Sequence, residues 1–352
     1  MSLQTFSLLQ LGWRAEYAQS LTLADFEAGY PARVLAVHRS GLTVLSSRGQ
    51  ASVVLPHHLA ASEAGAAVGD WVWLADDADR VLRVLDRQSL IERMAAGGDH
   101  QRQAIAANLD VLFVVSSCND DFNLSRLERY LTLALNAGVT PVIVLTKADI
   151  GDGVADYVTE AERLMPGVAV VAVNALDDAS VSQLAPWLIP GKTVAFVGSS
   201  GVGKSTLTNR VIGDLSQRTS GIREDDARGR HTTTAREMFP TASAAWVIDT
   251  PGMRELRLAT ANPELDAVFE DIAAFALQCR FGDCHHHGDA GCAVEAALAQ
   301  GALDARRVAN YRKLQREAVR AGQTLREQRE QGRQFGAMAR QAMKAKRERL
   351  GR

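Results

Sequence analysis

The chain has 352 residues, 47% of them hydrophobic, and a formal net charge of −2. That length is too great for one ordinary core and predicts two or three globular domains. No apolar run approaches a membrane span, and residues 1–19 lack a basic segment followed by an apolar block, so neither a membrane protein nor a signal peptide is expected. The small net charge conceals an asymmetry. Residues 301–352 hold 15 Lys+Arg against 5 Asp+Glu, and the remainder holds 24 against 36. An acidic body with a basic end suits a polyanionic partner, most simply nucleic acid. Of four cysteines, three lie close together among histidines, which predicts metal binding in a reducing, cytoplasmic compartment rather than disulfides.

Residues 1–28 read as a short helical arm, with Leu3, Leu8, Leu9, Leu11 and Trp13 apolar without a clean period. No function is assigned to it. Residues 29–96 carry five strand-like runs: Arg33–Val37, Leu42–Ser46, Ser52–Leu55, Asp70–Leu74 and Val81–Leu85. Five short strands in so few residues predict a five-stranded barrel, of which the OB-fold is one form. Trp71 and Trp73 alternate along one strand, share a face, and are expected in the core rather than as stacking platforms.

From Leu109 the pattern alternates strand and helix, predicting an α/β domain with a parallel sheet. Strands are expected at Asp110–Ser116, Pro141–Leu145, Ala169–Val173, Thr193–Val197 and Ala245–Ile248. Helices are expected at Leu124–Asn136, Val154–Leu164, Val181–Leu188 and Thr206–Ile212. Cys118 follows a buried strand and reads as a core thiol.

Between the fourth strand and its helix runs Gly198-Ser199-Ser200-Gly201-Val202-Gly203-Lys204-Ser205, the G-x-x-x-x-G-K-S pattern of a P-loop, followed by Thr206. Its glycines let backbone N–H groups converge on one concavity, and the helix N-terminus adds partial positive charge beneath it. Lys204 is placed to reach the β- and γ-phosphates, and Ser205 to ligate Mg²⁺. Downstream, an apolar strand delivers Asp249-Thr250-Pro251-Gly252. The aspartate fits a Mg²⁺ partner, direct or through water, and Gly252 can bring its N–H close to a γ-phosphate. Thr146-Lys147-Ala148-Asp149 resembles the guanine loop N/T-K-x-D of GTPases. The Asp149 carboxylate can accept from both N1–H and the exocyclic amine of guanine, which adenine cannot match. The stem of Lys147 can lie along the base. Thr146 stands where Asn is commoner.

The order is unusual. The guanine loop comes first, Asn174-Ala175 follows as a degenerate S-A-K loop, and the P-loop and D-T-P-G come last. This is a circular permutation of the Ras-like order, feasible where the original termini lie close together. Beyond the domain stand Cys279, Cys284, Cys292 and the run His285-His286-His287. Three thiolates and one imidazole close a tetrahedral set, which is structural rather than catalytic. Any of the three histidines could supply the fourth ligand on these grounds.

The permuted order, the preceding five-strand domain, the run Arg228-Gly229-Arg230-His231-Thr232-Thr233-Thr234 and the C-x4-C-x-H-x5-C spacing together resemble the ribosome small-subunit-dependent GTPase A family over residues 30–320. The resemblance implies an N-terminal five-stranded OB-fold barrel, a circularly permuted P-loop GTPase domain and a C-terminal helical zinc-binding domain. On this chain they would be an arm over 1–28, the barrel over 29–96, the GTPase domain over 97–258, the zinc domain over 259–320 and a basic tail over 321–352. Zinc would be held by Cys279, Cys284, His286 and Cys292. The implied activity is hydrolysis of GTP to GDP and phosphate, stimulated by the small (30S) ribosomal subunit during its late maturation, by a monomer that contacts 16S rRNA.

The GTP site so expected comprises Thr146, Lys147, Asp149, Gly198 to Thr206 and Gly252, with Mg²⁺ on Ser205, Thr233 and Asp249. Where Ras-like enzymes place a water-orienting Gln, this chain has Met253. Slow intrinsic hydrolysis is therefore expected, with His231 as the replacement and Lys204 and Thr233 completing the catalytic set; Thr233 is chosen among Thr232, Thr233 and Thr234. The alternative is a nucleotide-gated RNA-binding module whose hydrolysis is incidental. A helix from Ala305 is expected to present Arg306, Arg307, Arg312, Lys313, Arg316 and Arg320 to rRNA phosphates.

Overall fold

A computed structural model describes residues 6–38, 41–56, 59, 65–76, 80–94, 102–213, 237–249 and 264–322. The expected sites His231, Thr232, Thr233, Thr234, Gly252 and Met253, and the tail from residue 323, lie outside the described residues.

Five strands build the N-terminal barrel: β1 (Gly29–His38), β2 (Gly41–Ser46), β3 (Gly49–Val53), β4 (Trp71–Ala75) and β5 (Val81–Val84). The long β1 pairs antiparallel with both β2 and β4, aided by a bulge between Val34 and Ala36 that bends it from one partner to the other. β2 pairs with β3, and β4 with β5. A parallel bridge between Val54 and Arg80 brings the end of β3 to the start of β5 and closes the ring. This is the OB arrangement expected from the strand count. Its interior is filled by Ala32, Val34, Leu42, Val44, Val53, Val72, Leu74 and Val81.

Strand alternation sends Trp71 and Trp73 to the opposite face from Val72 and Leu74. Both indoles are nonetheless buried, because the N-terminal arm lies over them. Trp13 meets Trp71 edge-on at 4.8 Å, Phe26 meets Trp73 at 5.3 Å, and Trp73 Nε1 donates to Asp25 O at 2.8 Å. The tryptophans are core, as expected, but the core is the seam between arm and barrel rather than the barrel interior. The arm contains one α-helix, α1 (Leu23–Ala28), opened by a capping box between Thr22 and Asp25.

A hairpin of β6 (Leu90–Met94) and β7 (Arg102–Ala107) follows. Its pairing spans the expected boundary at residue 96.

The second domain contains β8 (Val111–Ser117), β9 (Thr140–Thr146), β10 (Ala169–Ala172), β11 (Thr193–Gly198), β12 (Glu237–Pro240) and β13 (Trp246–Asp249). Their order is β10-β9-β8-β11-β13-β12; all neighbours are parallel except the β12–β13 pair. β12 also bridges to β1 at Ala36, making one continuous sheet with the barrel. The parallel strands read as unbroken apolar runs because helices cover both faces. Those helices are α2 (Leu124–Asn136), α3 (Val154–Glu162), α4 (Asp178–Val181) and α5 (Lys204–Ile212). α2 begins where Asn123 accepts from the Arg126 N–H and buries Leu127, Tyr130, Leu131 and Ala134. Cys118 is buried as expected.

The C-terminal unit has α6 (Leu265–Val268), α7 (Glu270–Ala276), α8 (Ala293–Ala299) and α9 (Ala305–Gly322). α9 overturns part of the expectation for the basic helix. Its first basic residues face inward. Arg306 and Arg307 donate to the fully buried Glu128 of α2 at 3.0 and 2.9 Å, and Asn310 adds a bond at 2.5 Å. Arg307 also reaches Asp271 at 2.8 Å and the Val268 carbonyl at 2.7 Å. Arg312 pairs with Glu295 at 2.5 Å. A carboxylate on the neighbouring helix captures the arginines because a buried charge must be paired. Lys313, Arg316 and Arg320 alone of the six are exposed.

Removing Glu128 would leave guanidinium groups confined without their counter-charge. Glu128→Ala is expected to destabilise the protein by about 3 kcal/mol, read as a lowered urea midpoint. An unchanged midpoint would show that this cluster does not hold the C-terminal helices to the GTPase sheet.

Candidate functional site

The expected nucleotide residues within the described part converge at the C-terminal ends of the parallel strands, where ligands bind in open α/β sheets. β11 ends at Gly198 and α5 begins at Lys204, with residues 199–203 turning between them. Gly198 is required by packing: its φ is +150°, and a Cβ there would stand 2.2 Å from the Val115 carbonyl of β8. Gly203 precedes the helix in the left-handed region, at φ +92°. The turn leaves the first N–H groups of α5 without intrahelical partners and directed toward the loop, as at helix starts that take anions. Val202 is buried and anchors the turn. Ser200, Gly201 and Ser205 are exposed, and Thr206 is half-buried. Nζ of Lys204 donates to the Ser199 carbonyl, across the same turn.

The loop expected to read guanine leaves the end of β9. Thr146 is fully buried, and its hydroxyl proton is directed to Val202 O at 2.6 Å, with Ser116 O at 3.1 Å. It ties this loop to the P-loop rather than facing solvent. Lys147 adopts φ +60°, uncommon outside glycine, and its carbonyl accepts from the N–H groups of Ile150 and Gly151. Asp149 is exposed. The Asn174 side chain accepts from the Leu176 N–H at 2.9 Å, closing its own loop. Arg210 of α5 donates to the Leu176 carbonyl at 2.6 Å, so the third loop is also tied to the P-loop helix.

Asp249 ends β13 beside β11 and is exposed. With Ser205 it supplies hard oxygen donors of the kind Mg²⁺ takes. One contact escaped the sequence reading: Arg126, in the first turn of α2, donates to Ser199 Oγ and to both oxygens of Asp121. No motif spacing relates it to a loop 73 residues away.

The second cluster lies between α7 and α8. Ligand atoms of Cys279, Cys284, His286 and Cys292 all fall within 4.8 Å of one another. His286 Nδ1 lies 3.5 Å from Cys279 Sγ and 3.6 Å from Cys292 Sγ, and the two sulfurs are 4.0 Å apart. A tetrahedral metal with ordinary sulfur and nitrogen bond lengths has edges of about 3.6–3.8 Å, so the set fits. Among the three histidines the geometry selects His286, which is buried, while His285 and His287 are exposed. Asp289 Oδ2 accepts from the N–H groups of His285 and His287 and holds the knuckle around it. Burial lowers the His286 pKa, which favours the neutral imidazole and its free lone pair. Desolvation opposes the Cys279 thiolate, but N–H groups of Ala293 and Val294 bring its pKa below the ordinary value. Desolvation and the adjoining Cys292 and Cys279 push Cys284 up to about 12. Three thiolates so close are mutually unfavourable until a cation joins them.

Comparison with known proteins agrees with this architecture. A family model described as RsgA GTPase matches residues 84–259. "Small ribosomal subunit biogenesis GTPase RsgA 2" of Vibrio vulnificus is 48% identical over 96% of this chain and 96% of its own length. "Small ribosomal subunit biogenesis GTPase RsgA" of Mesorhizobium japonicum is 46% identical over 88% and 89%. The fold is similar to the crystal structure of YjeQ from Thermotoga maritima, with a TM-score of 0.61 at 24% identity over 84% of this chain and 100% of that one. It is also similar to YloQ, described as a circularly permuted GTPase, with a TM-score of 0.58 at 21% identity over 84% and 96%. With its permuted sheet carrying the P-loop and guanine loop, and with near full-length relatives at this identity, the chain belongs to the RsgA GTPase family.

Proposed function

We propose that this GTPase acts in small ribosomal subunit biogenesis, hydrolysing GTP to GDP and phosphate in a cycle stimulated by the subunit. The observation that carries the nucleotide reading is the tie between the guanine loop and the P-loop through Thr146. It couples the element that would read the base to the element that would hold the phosphates. The names of the relatives support the ribosomal partner. On this reading it acts in the cytoplasm as a monomer on 16S rRNA; no helix among the described residues is long and apolar enough to cross a membrane.

The residues divide the work as follows. The P-loop, Gly198 to Thr206, cradles the phosphates, and Lys204 carries the opposing charge. Asp149 accepts from the guanine edge, and the stem of Lys147 lies along the base. Thr146 contributes by bracing the two loops. Ser205, Thr233 and Asp249 would hold Mg²⁺, which when bound neutralises charge on the β- and γ-phosphate oxygens. Gly252 offers its N–H to the γ-phosphate, and His231 orients water in place of the missing Gln. GTP hydrolysis should be slow alone and accelerate when small subunits are added. His231→Ala should lower the stimulated rate about tenfold or more, with GTP affinity nearly unchanged. A rate indifferent to subunits would overturn the ribosomal role; an unaltered stimulated rate in the variant would remove His231 from the mechanism.

Base specificity is placed on one carboxylate. Asp149→Asn replaces an acceptor with a mixed donor and acceptor, and should shift preference from GTP to XTP in competition binding. Unchanged preference for GTP would move recognition away from this loop.

The Cys3His knuckle is proposed as a structural zinc site. Metal analysis should find about one zinc per chain, with most of it lost in Cys284→Ser and in Cys292→Ser, together with the fold of the C-terminal unit. Full zinc content in either variant would refute this ligand set.

A further inference from the structure

The P-loop serine after Gly198 is held from outside its own loop. Arg126 is fixed in the first turn of α2, where the Asn123 side chain accepts from its N–H at 2.9 Å. Its guanidinium is pinned by Asp121, whose two oxygens each lie 3.1 Å from Nη1. The same nitrogen donates to Ser199 Oγ. On the other side of that residue, the Ser199 carbonyl accepts from Nζ of Lys204. Carboxylate, guanidinium, serine and lysine form one polar chain, and it ends on the ammonium group of the P-loop.

Each link has a physical reason to transmit position. One nitrogen, Nη1, makes all three contacts, so Asp121 and Ser199 hold the same end of the side chain. Ser199 sits in a turn bounded by two glycines at positive φ, Gly198 at +150° and Gly201 at +79°. A lysine ammonium rides on four rotatable bonds and loses rotamer entropy when it must point one way. A fixed carbonyl beside it limits that search before the nucleotide arrives.

We propose that Arg126 is a positioning residue for GTP hydrolysis: by holding Ser199 it fixes the carbonyl that aims Lys204 at the phosphates. The proposal rests on the assignment of Lys204 to the phosphate site. Phosphate positioning is felt in both the bound and the transition state, so kcat/KM is the quantity to follow.

The test compares the full-length chain with Arg126→Ala, Ser199→Ala, the double variant, Arg126→Lys and Lys204→Ala, measuring kcat and KM for GTP and the thermal midpoint of each. Each of the first two should lower kcat/KM about tenfold, and the double should be no worse than the poorer single, because both cut one link. Arg126→Lys retains a donor but not the fork and should recover part of the loss. The thermal midpoint of Ser199→Ala should stay near that of the parent, which separates positioning from folding. If Arg126→Ala proves unstable, Ser199→Ala and Arg126→Lys decide the matter. Additive losses, or a silent Ser199→Ala beside an impaired Arg126→Ala, would mean that Arg126 acts without Ser199 and would overturn the proposal. If Lys204→Ala retains full activity, the phosphate-site assignment fails. If Lys204→Ala is inactive while Arg126→Ala and Ser199→Ala match the parent, only this inference fails.

Discussion

The architecture depends on one buried guanidinium. Arg33 lies on β1 of the barrel and is 1% exposed. It donates to Leu11 O in the arm at 2.5 Å, to Asn108 O at the domain junction at 3.3 Å and to Thr193 Oγ1 in the GTPase sheet at 2.7 Å. Desolvation lowers its pKa to about 10, so it remains charged at neutral pH. Taking such a charge out of water costs several kcal/mol unless its donors are satisfied. Two carbonyls and a hydroxyl from separate parts of the chain satisfy its terminal nitrogens in one relative arrangement, while Nε is left without a hydrogen-bond partner among the described residues. The arm can come this close because Gly12 has no side chain: a Cβ there would stand 2.3 Å from the Gly191 carbonyl. Thr193 opens β11, and the other end of β11 is the P-loop. The barrel is therefore registered on the strand that carries the phosphate site.

Asp110 strengthens the same junction. It accepts from Arg14 of the arm, from Lys192 at 3.0 Å and from the Thr193 N–H at 2.8 Å. Elsewhere, on α2, Glu128 holds Arg306, Arg307 and Asn310 of the C-terminal unit. Glu128 is two residues from Arg126, and at about 100° per residue the two side chains leave α2 in nearly opposite directions. One touches the P-loop and the other the C-terminal helices. Both flanking units are thus tied through polar contacts to elements that carry the nucleotide loops.

Much of this was legible before any coordinates. Local motifs survive in sequence because their chemistry is contiguous: the P-loop needs its glycines and lysine within eight residues, and the knuckle needs its cysteines at fixed spacing. The strand grammar showed the barrel and the parallel sheet, and α2 agrees with its expected bounds at both ends. Long-range electrostatics were illegible. Nothing in the composition of α9 distinguishes Arg306 and Arg307, which pair inward, from Lys313 and Arg316, which face solvent. The difference is made by Glu128, nearly 180 residues earlier. Trp71 and Trp73 were read correctly as buried, yet what buries them is an arm without clean periodicity. The hairpin of β6 and β7 was missed because its pairing crosses the point where the two grammars meet.

Thr146 illustrates how a departure from a motif carries physical content. An amide at this position offers two donors and an acceptor, enough to brace a neighbouring loop and still address a base. A hydroxyl has a single proton, and here Val202 O takes it, with Ser116 O close by. The side chain is shorter, buried and wholly engaged in holding β9 against the P-loop. That bond keeps the two loops rigid with respect to one another. On the proposed reading, discrimination would fall on Asp149, whose carboxylate would face an unmatched edge with any base lacking two adjacent donors. A buried or closely held polar group left unpaired is the costlier error, so a single well-placed carboxylate is sufficient for the task.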